Sequence, residues 1–319
     1  MLVVLLIGSL VVGGIQIFKT PSKEMPRPSG FKSPWRISKE DVIGIVYIYG
    51  EIHPGGDSSL RDTGGADSLV RQLQDFGEEE NVKAVILRIN SPGGSVGASQ
   101  EVYEAVKKLR DKGIKVVASI ADVGASGAYY IACGADKIVV NPGSLVGSIG
   151  VIMSIPDLSG LTKNILQVDF NTIKSGKFKD IASPFRKMEP DERDTLQSIV
   201  NDCYQQFVEA VIEGRKHAVP DYDFSETWID THLNGLIFSG KQAVDIKLVD
   251  ELGTFDDAKK IARELAGLGE DVQYISEPRT FLEKLAKELG GEAKGIGILG
   301  EKVNDLQQVR LEYMFRPEL

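Results

Sequence analysis

Short apolar runs, each followed by a turn and a helix-length segment, constrain this chain more than any other feature. "VIGIVYIYG" is β-rich and suits a buried strand, and a helix over about Ala66–Phe76 follows a glycine-rich loop. The pattern then repeats. "AVILRIN" reads as a strand, "SPGGS" as a turn and "SQEVYEAVKKLRDKG" as a helix with Gly113 as its stop. "KVVASI" is a further strand, Ser126–Cys133 a short helix, and "KIVV" and "IGVIM" two more short strands. Alternation of βα and ββα units predicts an α/β fold with much parallel pairing. No internal repeat is long enough for a solenoid.

Composition narrows the function. The chain has 319 residues, 42% of them hydrophobic and 26% charged, enough for a real core. A net charge of −9 argues against broad nucleic-acid binding, which needs a basic face. Two cysteines, Cys133 and Cys203, give neither metal spacing nor a disulfide framework, and both fall in helical apolar patterns that predict buried, inert thiols. From Pro190 to about Lys216 runs one long helix with an apolar stripe through Leu196, Val200, Cys203, Phe207 and Val211, read as core or oligomer interface. "GKQAVDIKLVDELG" reads as a short helix, a buried segment and a turn, and a last helix ends near Leu268.

At the other end, "LVVLLIGSLVVGGIQIF" (Leu2–Phe18) carries no charge, and as a helix it would span about 25 Å. It lacks a basic n-region and a small-residue cleavage site, so a retained anchor is expected over a cleaved signal peptide. Five basic residues follow it and none precedes it, which by charge bias alone leaves the body in the cytoplasm. Prolines at 21, 26, 28 and 34 make the next stretch an extended linker. The expected division is an anchor over 1–19, a linker over 20–40, a catalytic domain over 41–268 and a partly flexible extension over 269–319.

Two stretches can carry chemistry. Gly124-Ala125-Ser126-Gly127-Ala128 is nearly a G-x-S-x-G nucleophile elbow, with Ala in the last place; the plain alternative is a serine capping a helix. "INSPGGS" presents backbone N–H groups where a developing oxyanion could sit; the plain alternative is a tight turn. A base for Ser126 must come from His53, His217, His232 or a lysine in "IKSGKFKDIASP": Lys174, Lys177 or Lys179. None of the histidines has a persuasive context. A lysine serves only when neutral, so its pKa must fall from about 10.4 to near 7–8.

Taken together, "RINSPGGS", "GASGAYYIACGADKIVVNPGSLVGSIGVIM", "IKSGKFKDIASPFRKMEPDERDTLQ" and "FSGKQAVDIKLVDELG" resemble the signal peptide peptidase A (SppA) family over roughly Asp41–Ala266. The resemblance implies a Clp protease/crotonase-like fold of repeated ββα units and a membrane-anchored serine peptidase with a Ser/Lys dyad. It further implies cleavage of remnant signal peptides. By motif it makes Ser126 the nucleophile, Lys179 the general base, Ser148 a residue orienting the lysine, and Gly94 and Gly127 backbone donors of the oxyanion hole. It implies no cofactor and no metal, and a homo-oligomeric dome, an octamer among the candidate assemblies, in which serine and lysine meet across a protomer interface. It also sets the body outside the cytoplasmic membrane, against the charge bias, with lipid contact through the N-terminal helix. Ala128, where the family often has Gly, and the missing arginine in "NGLIFSG" bear on the shape of the substrate pocket. Three other readings stay open: a His-dependent esterase, a crotonase-like acyl-CoA enzyme that would not need Ser126, and a non-catalytic membrane scaffold.

Overall fold

A computed structural model describes residues 40–55 and 65–276 of the chain. The expected anchor at Leu2–Phe18, the linker and the tail beyond residue 276 lie outside the described residues. Among the described residues no helix is long and apolar enough to cross a membrane.

Strands β1 (Val42–Tyr49), β2 (Val82–Ser91) and β3 (Lys115–Ala125) form the parallel centre of the sheet. Each reads as a nearly continuous apolar run because both faces are covered. Residues two apart share a face. Ile43 and Ile45 with Ala84 and Ile86 therefore pack on one side against helix α7 (Phe255–Ala266) through Ala258 and Ala262. Helices α1 (Ala66–Glu78) and α2 (Val96–Asp111) each bury one apolar stripe, including Leu69, Leu73 and Phe76 in α1 and Val102, Val106 and Leu109 in α2.

Strand β3 serves two neighbours along one edge. Val117–Ile120 pair with β4 (Lys137–Val140), and Val123–Ala125 pair with β5 (Leu145–Gly147). An irregularity separates the two stretches: Ile89 of β2 faces Ile120, but Ser91 faces Gly124. The C-terminal end of β3 is thereby diverted into a second small layer. Strand β5 continues that layer in antiparallel pairing to β6 (Ile237–Ser239), and β4 pairs in parallel with the short β7 (Glu251–Leu252). Between β3 and β4 lies the short helix α3 (Gly127–Ala132).

Two sequence expectations are corrected. "IGVIM" is not a strand; the strand is Leu145–Gly147, just before it. Ser148, at φ 52°, turns the chain out of the sheet, and Ile152 is 90% exposed. Residues 273–276, expected beyond the domain, form β8 (Gln273–Ser276), a parallel edge strand on β1.

From Val151 to Glu189 the chain makes a long excursion whose only helix is one π-helical turn, Leu161–Leu166. Its apolar side chains are largely bare, among them Ile152, Ile165, Phe170 and Ile173. Helix α4 (Pro190–Ala218) then brings the chain back. Pro190 at its first position and a capping box between Glu189 and Glu192 start it. Phe207, Val208 and Val211 of the expected stripe are buried, whereas Ile199 in the first half is exposed. At Gly214 the helix touches α3, since a Cβ there would lie 2.1 Å from the Cys133 carbonyl oxygen.

The next residue makes the firmest link. Arg215 is buried, and its guanidinium holds both carboxylate oxygens of Asp250, from Nη1 at 3.0 Å and Nη2 at 2.9 Å. Its Nε donates to the Lys247 carbonyl at 2.6 Å, and Asp250 Oδ2 also accepts the Ile138 N–H at 2.7 Å. Helices α5 (Glu226–His232) and α6 (Gly240–Asp245) complete the fold. Replacing Arg215 with alanine leaves the buried Asp250 carboxylate with only the Ile138 N–H and the more distant Lys137 amine, at 3.7 Å. It should lower unfolding free energy by about 3–5 kcal/mol, read from urea melts.

Candidate active site

Strand β3 ends at Ala125, and Ser126 follows with φ 52° and ψ −125°, a conformation that L-residues rarely adopt. The register explains how it is held. Ala125 pairs with Gly147 of β5, and the Ser126 N–H donates to the Gly147 carbonyl at 2.8 Å. Although Ser126 immediately precedes α3, its side chain makes no capping hydrogen bond. The plain explanation of this serine as a helix cap therefore fails.

The turn after β2 packs directly on it. A Cβ at Gly93 would fall 2.8 Å from the Ser126 Cβ and 2.7 Å from the Gly127 nitrogen. Gly93 has φ +99°, so glycine is required here for both conformation and space. Ile52 grips this turn from the other side: its N–H donates to the Gly93 carbonyl at 2.8 Å, and its carbonyl accepts the Ser95 N–H at 2.8 Å. A Cβ at Gly94 would lie 1.9 Å from the Ile52 oxygen, and a Cβ at Gly127 would lie 3.4 Å from the Gly94 nitrogen. Two glycine backbones thus meet beside the serine.

Ser126, Gly94 and Gly127 border an open pocket whose other walls include Val96, Tyr130, Val151 and Phe207. It is an apolar recess with a hydroxyl and backbone amides at its rim. Ser148 follows Gly147, the partner of Ala125, so Ser126 and Ser148 leave adjacent strand ends side by side. Ser148 also has φ 52°, and its N–H is held by the Leu236 carbonyl at 2.7 Å.

The lysines separate from one another. Lys174 pairs with Asp180 and donates to the Lys177 carbonyl at 2.9 Å. Lys177 pairs with Asp191, whose hydrogen bond and charge raise the amine's pKa and disfavour its neutral form. Lys179, on an exposed turn closed by its N–H to the Gly176 carbonyl at 3.1 Å, forms no ion pair among the described residues. It does not line the Ser126 pocket of its own chain.

None of the three histidines lines that pocket. His53 lies by the Pro54 carbonyl, and exposed His217 faces Asp136 at 3.2 Å. His232, expected in a polar loop, ends helix α5 half-buried, its ring 5.1 Å from that of Trp228.

The cysteine expectation holds for one residue only. Cys133 is buried, and burial pushes its thiol up to about 12. Cys203 is half-buried and borders the Ser126 pocket. The sequence reading also passed over Gly93, although "PGG" offered both glycines. Ser99 was missed as well; its buried hydroxyl donates to the Ser95 carbonyl at 2.9 Å and borders the same pocket.

The Peptidase family S49 model matches residues 108–269, and the Clp protease model matches residues 57–144. A protease-named protein of Synechocystis sp. is 41% identical over 82% of this chain and 87% of its own. Protease 4 of Salmonella typhi is 31% identical over 80% of this chain and 40% of its own. A chloroplastic serine protease SPPA of Arabidopsis thaliana is 29% identical over 87% of this chain and 41% of its own. Fold and matches define a serine protease of the Clp protease-like α/β class. The chain belongs to peptidase family S49.

A maleimide should modify one thiol per native chain, Cys203, and reach Cys133 only after unfolding. Peptide hydrolysis should fall in step with the first modification, as followed by mass spectrometry beside an activity assay.

Proposed function

We propose that this chain is a membrane-anchored serine endopeptidase that cuts remnant signal peptides and other apolar, membrane-proximal peptides through an acyl-enzyme. The observation that carries the proposal is Ser126: a strained serine with an uncapped hydroxyl, bordering an apolar pocket beside the Gly94 and Gly127 amides. Strain of this kind costs of order 1–3 kcal/mol and persists where the surroundings over-determine it, often at a reacting group.

In the proposed cycle a neutral Lys179 amine takes the Ser126 hydroxyl proton as Oγ attacks the peptide carbonyl. The resulting oxyanion is stabilised by the N–H groups of Gly94 and Gly127. Collapse breaks the C–N bond, and the lysine ammonium returns its proton to the departing amine. Water, deprotonated by the same amine, then attacks the ester; on collapse the ammonium gives that proton to the departing Ser126 oxygen, and the released acid ionises in solvent. The Ser148 hydroxyl orients the amine. Ser126 and Ser148 share a site by register, which supports that role.

Of Lys174, Lys177 and Lys179, only Lys179 has no carboxylate partner among the described residues, which supports its choice over the other two. A lysine stays neutral most readily in a dry setting, whereas this turn is exposed in one protomer. The bare apolar side chains at Ile152, Ile165 and Ile173 give a second copy something to cover. The working enzyme is therefore proposed as a homo-oligomer in which one protomer's lysine serves its neighbour's serine. The N-terminal apolar run would hold the assembly at the membrane, on the extracytoplasmic side. The pocket's apolar walls favour small or apolar side chains beside the scissile bond.

Ser126→Ala and Lys179→Ala should each lose at least about a thousandfold in kcat on a signal-type peptide, with assembly intact. Mixed oligomers of the two variants should recover activity that neither has alone. Wild-type rates in Lys179→Ala would sink the lysine base, and absence of recovery in verified mixed oligomers would place the dyad within one protomer. Ile173→Asp should leave the melting temperature of the protomer unchanged, shift sedimentation to smaller species and abolish hydrolysis in parallel.

A further inference from the structure

The turn that carries Lys179 is fastened by a side chain with no assigned role. Arg186 grips Asp180, the residue after Lys179, three ways: Nε to Oδ2 at 2.9 Å, Nη2 to Oδ1 at 2.9 Å, and Nη2 to the Asp180 carbonyl at 3.0 Å. The same guanidinium holds Glu192, from Nη1 to Oε2 at 2.7 Å and from Nη2 to Oε1 at 2.5 Å. Glu192 lies in the first turn of α4, is buried, and accepts the Glu189 N–H at 3.0 Å as part of the capping box. Lys174 closes the cluster on Asp180 Oδ1, the oxygen that also accepts from Arg186 Nη2.

Exposed single ion pairs contribute little to stability, but a forked guanidinium shared by two carboxylates fixes geometry as well as charge. Arg186 holds the Glu192 carboxyl down at about 2 and keeps Asp180 well below the usual carboxylate range, so both stay ionised at working pH. Beside this cluster, the excursion is also fastened by Lys177 to Asp191 in the first turn of α4, by the stacked rings of Phe170 and Phe185 at 4.0 Å, and by the Leu158 N–H to the Pro184 carbonyl at 2.7 Å. The route from the core to Lys179 therefore runs through α4. Its far half is locked by Arg215 and Asp250, its first turn holds Glu192, and Arg186 joins that turn to Asp180.

We propose that Arg186 is a positioning residue: it clamps the Lys179 turn to the start of α4, so that each protomer presents its lysine already shaped for the neighbouring serine. The proposal rests on Lys179 being the base. The clamp is formed inside one chain, so assembly then has to align the turn rather than fold it. Misplacing a reacting group by about 1 Å can cost about a hundredfold in rate. Lysine cannot replace this arginine fully, because a single ammonium lacks the planar fork that spans two carboxylates.

Steady-state kinetics on a signal-type peptide, with sedimentation of the same samples, tests the clamp. Arg186→Ala should lower kcat about 10- to 100-fold, leave KM within about twofold and leave the oligomer intact. Arg186→Lys should recover only part of the rate, and added guanidinium ion should partly rescue Arg186→Ala while leaving wild type unchanged. Asp180→Asn, which keeps the side chain's size, should show the same split if Arg186→Ala does not fold. Wild-type kcat in intact Arg186→Ala oligomers overturns the clamp, as does a rate loss matched by lost assembly. Mixed oligomers separate the two hypotheses. Arg186→Ala should be harmful when carried by the Ser126→Ala subunit, which supplies the lysine, and silent when carried by the Lys179→Ala subunit. Equal harm in both overturns the clamp. Wild-type activity in Lys179→Ala alone defeats the base assignment and the clamp together, whereas an inactive Lys179→Ala beside a fully active Arg186→Ala defeats the clamp alone.

Discussion

The Arg215–Asp250 pair fixes how everything beyond the central sheet is held. Two ions taken out of water cost several kcal/mol each, and such a pair is tolerable only where every remaining donor and acceptor is used. Here the guanidinium spends Nε on the Lys247 carbonyl and its two Nη atoms on Asp250, while Asp250 also takes the Ile138 N–H of β4. One interaction therefore ties α4, the segment after α6 and the edge of the sheet. Gly214 is needed beside it, because only a residue without Cβ lets α4 approach the Cys133 carbonyl. Burial of this order also silences Cys133 at the end of α3, leaving Cys203, on α4, as the thiol within reach of the pocket.

The same economy of space governs the serine. β3 passes from pairing with β4 to pairing with β5 within one strand, and that step carries Ala125 and Ser126 away from the main sheet. The strained backbone of Ser126 is held on one side by Gly147 and on the other by the Gly93–Gly94 turn, which Ile52 grips in turn. Each neighbour is glycine or backbone. That sets the Gly94 and Gly127 backbones and the Ser126 side chain along one pocket, where an ordinary Cβ at position 93 or 94 would collide with what is already there.

Much of this was legible before any coordinates. Parallel strands buried on both faces announce themselves as unbroken apolar runs, and β1, β2 and β4 fell where "VIGIVYIYG", "AVILRIN" and "KIVV" stood. Helix α4 was legible from its stripe and proline start, and "PGG" and "GASGA" pointed to the two turns that meet at the pocket. What escaped had a common cause: an apolar residue says that something covers it, not what. "IGVIM" looked like a strand, yet Ser148 turns the chain away and leaves Ile152 bare. Cys203 looked like core because its stripe continues to Phe207, yet in the stripe's first half Leu196, Val200 and Cys203 are only half-buried and Ile199 is exposed. Strand β8 is only four residues long, Gln273–Ser276, and its place depends on β1, more than two hundred residues away, which local pattern cannot reveal.

Those failures bear on how the chain divides its labour. The excursion from Val151 to Glu189 carries many large apolar side chains and almost no helix or strand, so burial within the protomer does not account for its composition. It keeps its shape through charge instead, with Arg186, Asp180, Glu192 and Lys174 in one cluster and Lys177 with Asp191 in another. Charge clusters fix local geometry without hiding apolar surface, which suits a segment whose apolar face, in the proposed oligomer, would meet another copy. A hydrophobic mini-core would have held the turn as firmly, but it would have consumed the side chains that the proposed assembly needs. In the proposed oligomer, the lysine turn can be both pre-shaped and sticky only because these two tasks fall to different residues.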